Sequence, residues 1–292
     1  MKLYSPAETA ASIEKYGIKI SKSLGQNFLA DRNITEKIIE AAGIGADSLV
    51  LEIGAGLGAL TAAAARRAGW AVAVEIDKNL TPALKENLKE YGNIDIINAD
   101  ILKEDINGLI ESHRGKTGRL LPDIKIIGNL PYYITSPVIM KILEEKTIAR
   151  SLTFMIQKEV AERISAKPGT KAYGAVTAAI NYYGTVSYIS DVPRSVFIPK
   201  PNVDSAVIRI NVREAPPVSL TDEKIFFACI KAGFGQRRKT LLNSLTGLSG
   251  LGKQDIMDVL KNAGIDHMRR AETLDIFEFA ALADCICRKK TE

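Results

Sequence analysis

Metal-binding side chains are scarce in this 292-residue chain, which has three cysteines, Cys229, Cys285 and Cys287, and two histidines, His113 and His267. None of the five falls at the short spacings that build a zinc site, so no metal is expected. Apolar runs of about 18 residues are also missing, and no basic segment followed by an apolar core opens the sequence. Neither a membrane span nor export is therefore expected, and the cytoplasm is the expected compartment. Internal repeats and low-complexity tracts are lacking too. The remainder, 46% hydrophobic and 25% charged, excludes the disordered and collagen-like classes and suits one large α/β domain with a smaller one. A net charge of +5 is compatible with a polyanionic partner but is too small to identify one.

What is present is a series of strand ends. Residues 49–53 read as a buried strand, followed at once by Gly54-Ala55-Gly56-Leu57-Gly58 and an alanine-rich helix over 60–67. Glycines in such a turn let a ligand approach the backbone, and the first helical amides can meet its polar groups. Strands over 71–74 and 94–97 end in Glu75-Ile76-Asp77 and Asn98-Ala99-Asp100. Glu75 lies about 20 residues past the glycine loop, where an acid can accept both hydroxyls of a ribose. Asp100 is placed to read an adenine amine or amide edge. A fourth strand, 124–127, delivers Gly128-Asn129-Leu130-Pro131-Tyr132. Pro131 fixes its own φ and holds Leu130 extended, so the Asn129 carboxamide and the Leu130 carbonyl can be aimed at one point beside a ring. Alone, the pentapeptide reads equally as a strand ending in a proline turn with Tyr132 in the core. Ligands of open α/β sheets, however, sit at the carboxyl ends of the strands, where all four segments terminate. The loop reads Glu-x-Gly-x-Gly-x-Gly, not the Gly-x-Gly-x-x-Gly of dinucleotide sites, and nothing is committed to a pyrophosphate or a hydride acceptor. S-adenosylmethionine, which has a ribose and an adenine but no phosphate, fits better.

Upstream, Ile13, Tyr16 and Ile20 give residues 1–20 an amphipathic, helix-like pattern. A polar segment over 21–31 then leads into a helix through Ile34, Ile38, Ile39 and Ala42, with Asp31 or Asn33 as its cap. Downstream come a helix from Ser136, a strand over 152–157 and a charged helix over 158–165. The basic loop over 167–174 reads equally as a solvated connection or a phosphate-facing lid. A helix over 175–182 and a strand over 185–189 follow, and then a proline-bracketed loop, 192–201, carrying Phe197 as either a stacking platform or a buried anchor. The strand over 205–212 closes this part. Pro216 and Pro217 mark a linker, beyond which the pattern is helical over 224–234, 239–245, 253–263 and 274–287, with a basic turn at Gln236-Arg237-Arg238-Lys239. The expected division is 1–213, including an N-terminal extension and basic loop over 1–30, and 218–292.

Several of these segments together resemble the S-adenosylmethionine-dependent adenine-N6 dimethyltransferases of small-subunit ribosomal RNA, the KsgA type. The resemblance is carried by Leu24-Gly25-Gln26-Asn27-Phe28-Leu29, Glu52-Ile53-Gly54-Ala55-Gly56-Leu57-Gly58, Glu75-Ile76-Asp77, Asn98-Ala99-Asp100 and Gly128-Asn129-Leu130-Pro131-Tyr132. It continues through Gln157-Lys158-Glu159, Phe197-Ile198-Pro199-Lys200-Pro201, Arg237-Arg238-Lys239-Thr240 and Arg270-Ala271-Glu272, and no motif position departs. The related Erm enzymes share the cofactor motifs and the Asn-x-Pro-Tyr turn but usually lack the Gln-Lys-Glu and Arg-Arg-Lys-Thr blocks. The resemblance implies an α/β fold, a Rossmann-like class I methyltransferase domain with a small C-terminal all-helical domain that contacts RNA. It implies S-adenosylmethionine held by Asn27, Leu29, Gly54, Glu75, Asp100 and Asn129, of which Asn27 and Leu29 rest on the resemblance alone. The implied activity is transfer to N6 of two adjacent adenosines near the 3′ end of 16S rRNA, by a monomer acting on an immature small subunit. Asn129, Leu130, Pro131 and Tyr132 form the expected catalytic corner, with Phe197 on the other face of the adenine. Lys22, Lys167, Lys171, Arg237, Arg238 and Lys239 are the expected phosphate contacts. The alternatives are an Erm-like activity on 23S rRNA, a DNA adenine methyltransferase and a non-catalytic ribosome assembly factor.

Overall fold

The computed structural model describes residues 5–21 and 23–291. Its strands are β1 (Phe28–Leu29), β2 (Ser48–Ile53), β3 (Trp70–Glu75), β4 (Ile94–Asn98), β5 (Asp123–Asn129), β6 (Ser151–Gln157), β7 (Gly184–Val192), β8 (Phe197–Ile198) and β9 (Ser205–Val212). Its α-helices are α1 (Pro6–Lys15), α2 (Arg32–Ala42), α3 (Ala59–Ala65), α4 (Thr81–Leu88), α5 (Ile106–Glu111), α6 (Thr135–Glu144), α7 (Lys158–Ile164), α8 (Ala175–Tyr183), α9 (Glu223–Gly235), α10 (Leu241–Leu245), α11 (Lys253–Asn262) and α12 (Ile276–Thr291).

Seven strands form one sheet in the order β4-β3-β2-β5-β6-β9-β7. The pairs from β4 to β6 are all parallel, whereas β9 runs antiparallel to β6. The first strands step outward from β2 through β3 to β4, and the chain then returns to lay β5 on the other side of β2. This reversal separates the loops that follow β2 and β5, and ligands of open α/β sheets bind at such a switch point. The central strands are buried on both faces, as strands covered by helices must be. Gly128 is required where β5 leaves the sheet, because a Cβ there would lie 2.5 Å from the Ile53 carbonyl oxygen.

The N-terminal helix differs from its expected position. Ser5 caps α1 by accepting the Glu8 N–H, and the helix stops at Lys15. Tyr16 and Ile20 therefore pack beyond the helix, beside Ile18, Phe28, Leu57 and Leu80. For α2, Asp31 is the cap, its Oδ1 accepting the Ile34 N–H at 3.0 Å.

The chain forms two compact units, residues 1–161 with 186–212 and residues 162–185 with 213–292. The second unit thus includes a segment that the sequence assigns to the first. Tyr173, Ala178 and Tyr182, from that loop and from α8, are buried in one apolar cluster with Phe226, Ile230, Leu241, Leu260 and Phe279 of the later helices. A hydrophobic helix placed between two strands gives no local sign of which core it joins.

Candidate active site

Four strand ends of the first unit converge on a cavity of about 200 Å³. Glu52, Gly54 and Gly56 line it from the end of β2, Glu75 from β3, Asp100 from just past β4, and Asn129 to Tyr132 from β5. The N-terminal segment contributes Gln26, Asn27, Phe28 and Leu29. Gly54, at φ 78°, holds a left-handed conformation that brings the loop backbone against this space.

Glu75 is fixed by the main chain. Its Oε2 accepts the Gly56 N–H at 2.8 Å and its Oε1 accepts the Asp77 N–H at 2.9 Å. Burial raises its pKa, and these amide donors act against that rise. Asp100 lies nearer solvent, its Oδ1 accepting the Leu102 N–H at 3.1 Å. Glu52 is 2% exposed, and burial pushes its carboxyl pKa up to about 8 against the opposing hydrogen bond from the Thr61 hydroxyl. Among the described residues that line the cavity there is no lysine, arginine or histidine. Two carboxylates, Glu75 and Asp100, beside the protonated carboxyl of Glu52 and with no cation among the lining residues, suit a ligand with hydroxyls and positive charge, and disfavour one carrying phosphates.

The Asn129 carboxamide has a defined orientation. Its Nδ2 donates to the Asn27 carbonyl at 2.8 Å, leaving Oδ1 as the acceptor end. The Leu130 N–H donates to the Met155 carbonyl at 3.1 Å, and the Pro131 carbonyl accepts from the Ile134 N–H at 3.2 Å. The tetrapeptide is thereby tied to β6 on one side and to α6 on the other. Tyr132 shares a 3.0 Å hydrogen bond with the Ser205 hydroxyl, which secures its ring, and burial raises its pKa.

Phe197 is not presented to the cavity. It is 3% exposed and belongs to a buried cluster with Leu29, Ile34, Ile38, Val192 and Val207. The cause is the pairing of β8 with β1, Phe197 opposite Leu29. In this structure it is the buried anchor, not the stacking platform. Tyr133 is the exposed ring beside the cavity, at 55%. Sequence reasoning assigned no role to Tyr133, Phe28 or Thr9, all of which line the space; nor did it give one to Glu52, although Glu52 opens the glycine motif.

Of the expected phosphate contacts, Lys22 lies outside the described residues. Lys167, Lys171, Arg237, Arg238 and Lys239 are all exposed on the second unit. Arg237 donates to the Lys171 carbonyl and its Nε stands 3.7 Å from Glu272, while the Gly169 N–H donates to the Glu272 carbonyl at 2.7 Å. The loop over 167–171 and the turn over 236–239 are thus fastened together through Arg237 and Glu272.

The family model for ribosomal RNA adenine dimethylase matches residues 17–282. The chain belongs to this family. Over 289 residues it is 48% identical to the Ribosomal RNA small subunit methyltransferase A of Alkaliphilus oremlandii, covering 99% of each chain. Its fold is similar to that of a dimethyladenosine transferase from Plasmodium falciparum, with TM-score 0.76 and 25% identity over 90% of this chain and 98% of that one. It is also similar to the 23S rRNA methyltransferase ErmE, with TM-score 0.68 and 26% identity over 89% and 100%. Family membership makes the protein a methyltransferase of ribosomal RNA adenine, and its α/β domain and helical region are those of its neighbours. No helix among the described residues is long and apolar enough to cross a membrane.

Proposed function

We propose that the protein transfers methyl groups from S-adenosylmethionine to N6 of two adjacent adenosines near the 3′ end of 16S rRNA, in an immature small ribosomal subunit. The observation that carries this reading is the anchored amide of Asn129, which leaves an acceptor beside Tyr132 at the switch point. Small-subunit relatives of nearly the same length favour this rRNA over the large-subunit one. The cofactor is assigned to Asn27, Leu29, Gly54, Glu75 and Asp100, with Asn129 next to its reactive end; this set accommodates a ribose, an adenine and positive charge without a phosphate clamp. When bound, S-adenosylmethionine supplies an electrophilic methyl group.

The residues of the chain then have to make a weak nucleophile competent. The lone pair of an exocyclic adenine amine is delocalised into the ring. Two acceptors placed on its N–H bonds favour a pyramidal nitrogen with the lone pair directed out of the ring plane. Asn129 Oδ1 and the Leu130 carbonyl take these positions, Pro131 holds the backbone that aims them, and Tyr132 stacks on the base, which has to leave its RNA stack to enter. No strong general base is required. Lys167, Lys171, Arg238 and Lys239 contact RNA phosphates from the second unit, and the protein works as a cytoplasmic monomer.

The test is tritiated methyl transfer onto undermethylated small subunits, naked ribosomal RNA and duplex DNA in parallel, by wild type and by Asn129→Ala. Label is expected on the small subunits, and the variant is expected to lose on the order of 10²–10³ in rate with cofactor affinity largely retained. Label confined to large-subunit RNA or DNA would overturn the substrate, and near-normal turnover by the variant would overturn the role of Asn129.

A further inference from the structure

Asn129 serves the proposed reaction in only one of its two amide orientations, and the group that selects it lies 102 residues upstream in the sequence. The Asn27 carbonyl receives Nδ2. Asn27 belongs to a loop with little regular structure of its own, held on its C-terminal side by the two-residue pairing of β1 with β8. On its N-terminal side local hydrogen bonds link Leu24 and Gln26 to Ser21, and the tie to a distant segment is made by the side chain of Gln26, whose amide is used at both ends. Its Oε1 accepts the Ser21 N–H at 2.7 Å, and its Nε2 donates to Asp77 Oδ2 at 2.8 Å.

Asp77 is a rigid partner. It is 8% exposed, its Oδ1 accepts from both the backbone and the side-chain amide of Asn79 at 2.9 Å, and its own N–H donates to Glu75. A loop carrying the Asn27 carbonyl is therefore latched to the same short segment that holds the Glu75 carboxylate. We propose that Gln26 is a positioning residue for methyl transfer: through Asp77 it holds the Asn27 carbonyl in place, which keeps Asn129 Nδ2 occupied and Oδ1 toward the substrate. This rests on the role assigned to Asn129 above. A purely structural loop anchor would affect stability without selecting an amide orientation.

The polarity of the latch can be reversed. Gln26→Glu sets two carboxylates against each other. Combined with Asp77→Asn it restores one hydrogen bond running the other way, while the acceptors for Ser21 N–H and Asn79 N–H are kept. Three quantities are read on the full chain: cofactor Kd by calorimetry, single-turnover transfer to undermethylated small subunits at saturating cofactor, and exchange protection of the Asn129 side-chain amide in ¹⁵N-labelled protein without cofactor. Gln26→Glu is expected to lose protection at Asn129 and to transfer ~10- to 100-fold more slowly even at saturation. The double variant is expected to recover both, to within about threefold in rate. If Gln26→Glu does not fold, Gln26→Met, which keeps the size without the amide, gives the same single-variant measurement. Wild-type rate in the single variant at saturating cofactor, or protection at Asn129 that does not follow the latch, would overturn the proposal. Asn129→Ala run alongside separates the two failures: if it transfers normally, the reading of Asn129 itself has failed.

Discussion

The cavity of the first unit and the exposed surface of the second treat charge in opposite ways. Glu75 and Asp100 line the cavity beside the protonated Glu52, with no cation among its described residues, and Glu75 is gripped by backbone amides. Lys167, Lys171, Arg238 and Lys239 stand exposed on loops and turns. Desolvated charges interact strongly and tolerate little displacement, whereas exposed ones are screened by salt over about 8–10 Å. The first region is therefore suited to selecting a small ligand, and changes there are expected to cost much per residue. The second is suited to summing small, salt-dependent contributions from many phosphates.

The sharpest test of the buried side is Glu52. Its folded-state pKa is near 8 against the ordinary 4.5, so the folded state holds a proton that the unfolded chain releases above about 4.5. The stabilisation linked to that proton is fully present below this value and is lost as the pH rises through 8. Glu52→Gln keeps an acceptor for the Thr61 hydroxyl and carries no charge at any pH. Relative to wild type its melting temperature should rise between pH 5 and pH 9, corresponding to a few kcal/mol at about 1.4 kcal/mol per unit. Parallel melting curves across that range would mean that Glu52 is ionised and solvated in the folded protein.

Glu75 should show a smaller effect, in binding. Glu75→Gln preserves the shape but turns an amide NH₂ toward one of the two backbone donors, from Gly56 or Asp77, that now meet carboxylate oxygens. Cofactor Kd is expected to rise about 10- to 100-fold by calorimetry, the scale of losing a charged acceptor. An unchanged Kd would remove Glu75 from the ligand and leave it as a loop fastener.

The buried side was also the more legible in the sequence, for a physical reason. Strand ends and glycine turns are local features, and parallel pairing brings their carboxyl ends to one edge, so Gly54, Glu75, Asp100 and Asn129 could be grouped before any contact was known. The contacts that orient these groups are not local. Gln26 and Asp77 are 51 residues apart, and Asn27 and Asn129 are 102 apart; neither pair leaves a periodic trace. The placement of Phe197 depends on β1 and β8, two residues each, too short to produce an alternation. Tyr133 adjoins Tyr132, and only the turn into α6 decides which ring is secured and which is exposed. Charge runs on the second unit were visible, but the commitment of Arg237 to Glu272 was not.

That commitment separates two neighbouring arginines. Arg238 is exposed and makes no ion pair among the described residues, whereas Arg237 faces the Glu272 carboxylate and also donates to the Lys171 carbonyl. Counterion release counts phosphates neutralised by free positive charge, so Arg238→Gln should reduce the salt slope of RNA binding by about 0.7–0.9. Arg237→Gln should reduce it by less, since the charge removed is partly balanced by Glu272. Its loss should instead loosen the loop over 167–171, read as faster amide exchange at Gly169, whose N–H donates to the Glu272 carbonyl. Exposed pairs of this kind contribute at most about 1 kcal/mol, so the fold should persist. Equal slope changes in the two variants, with unchanged exchange at Gly169, would show that both arginines contact phosphate and that the second unit has no internal division between fastening and binding charges.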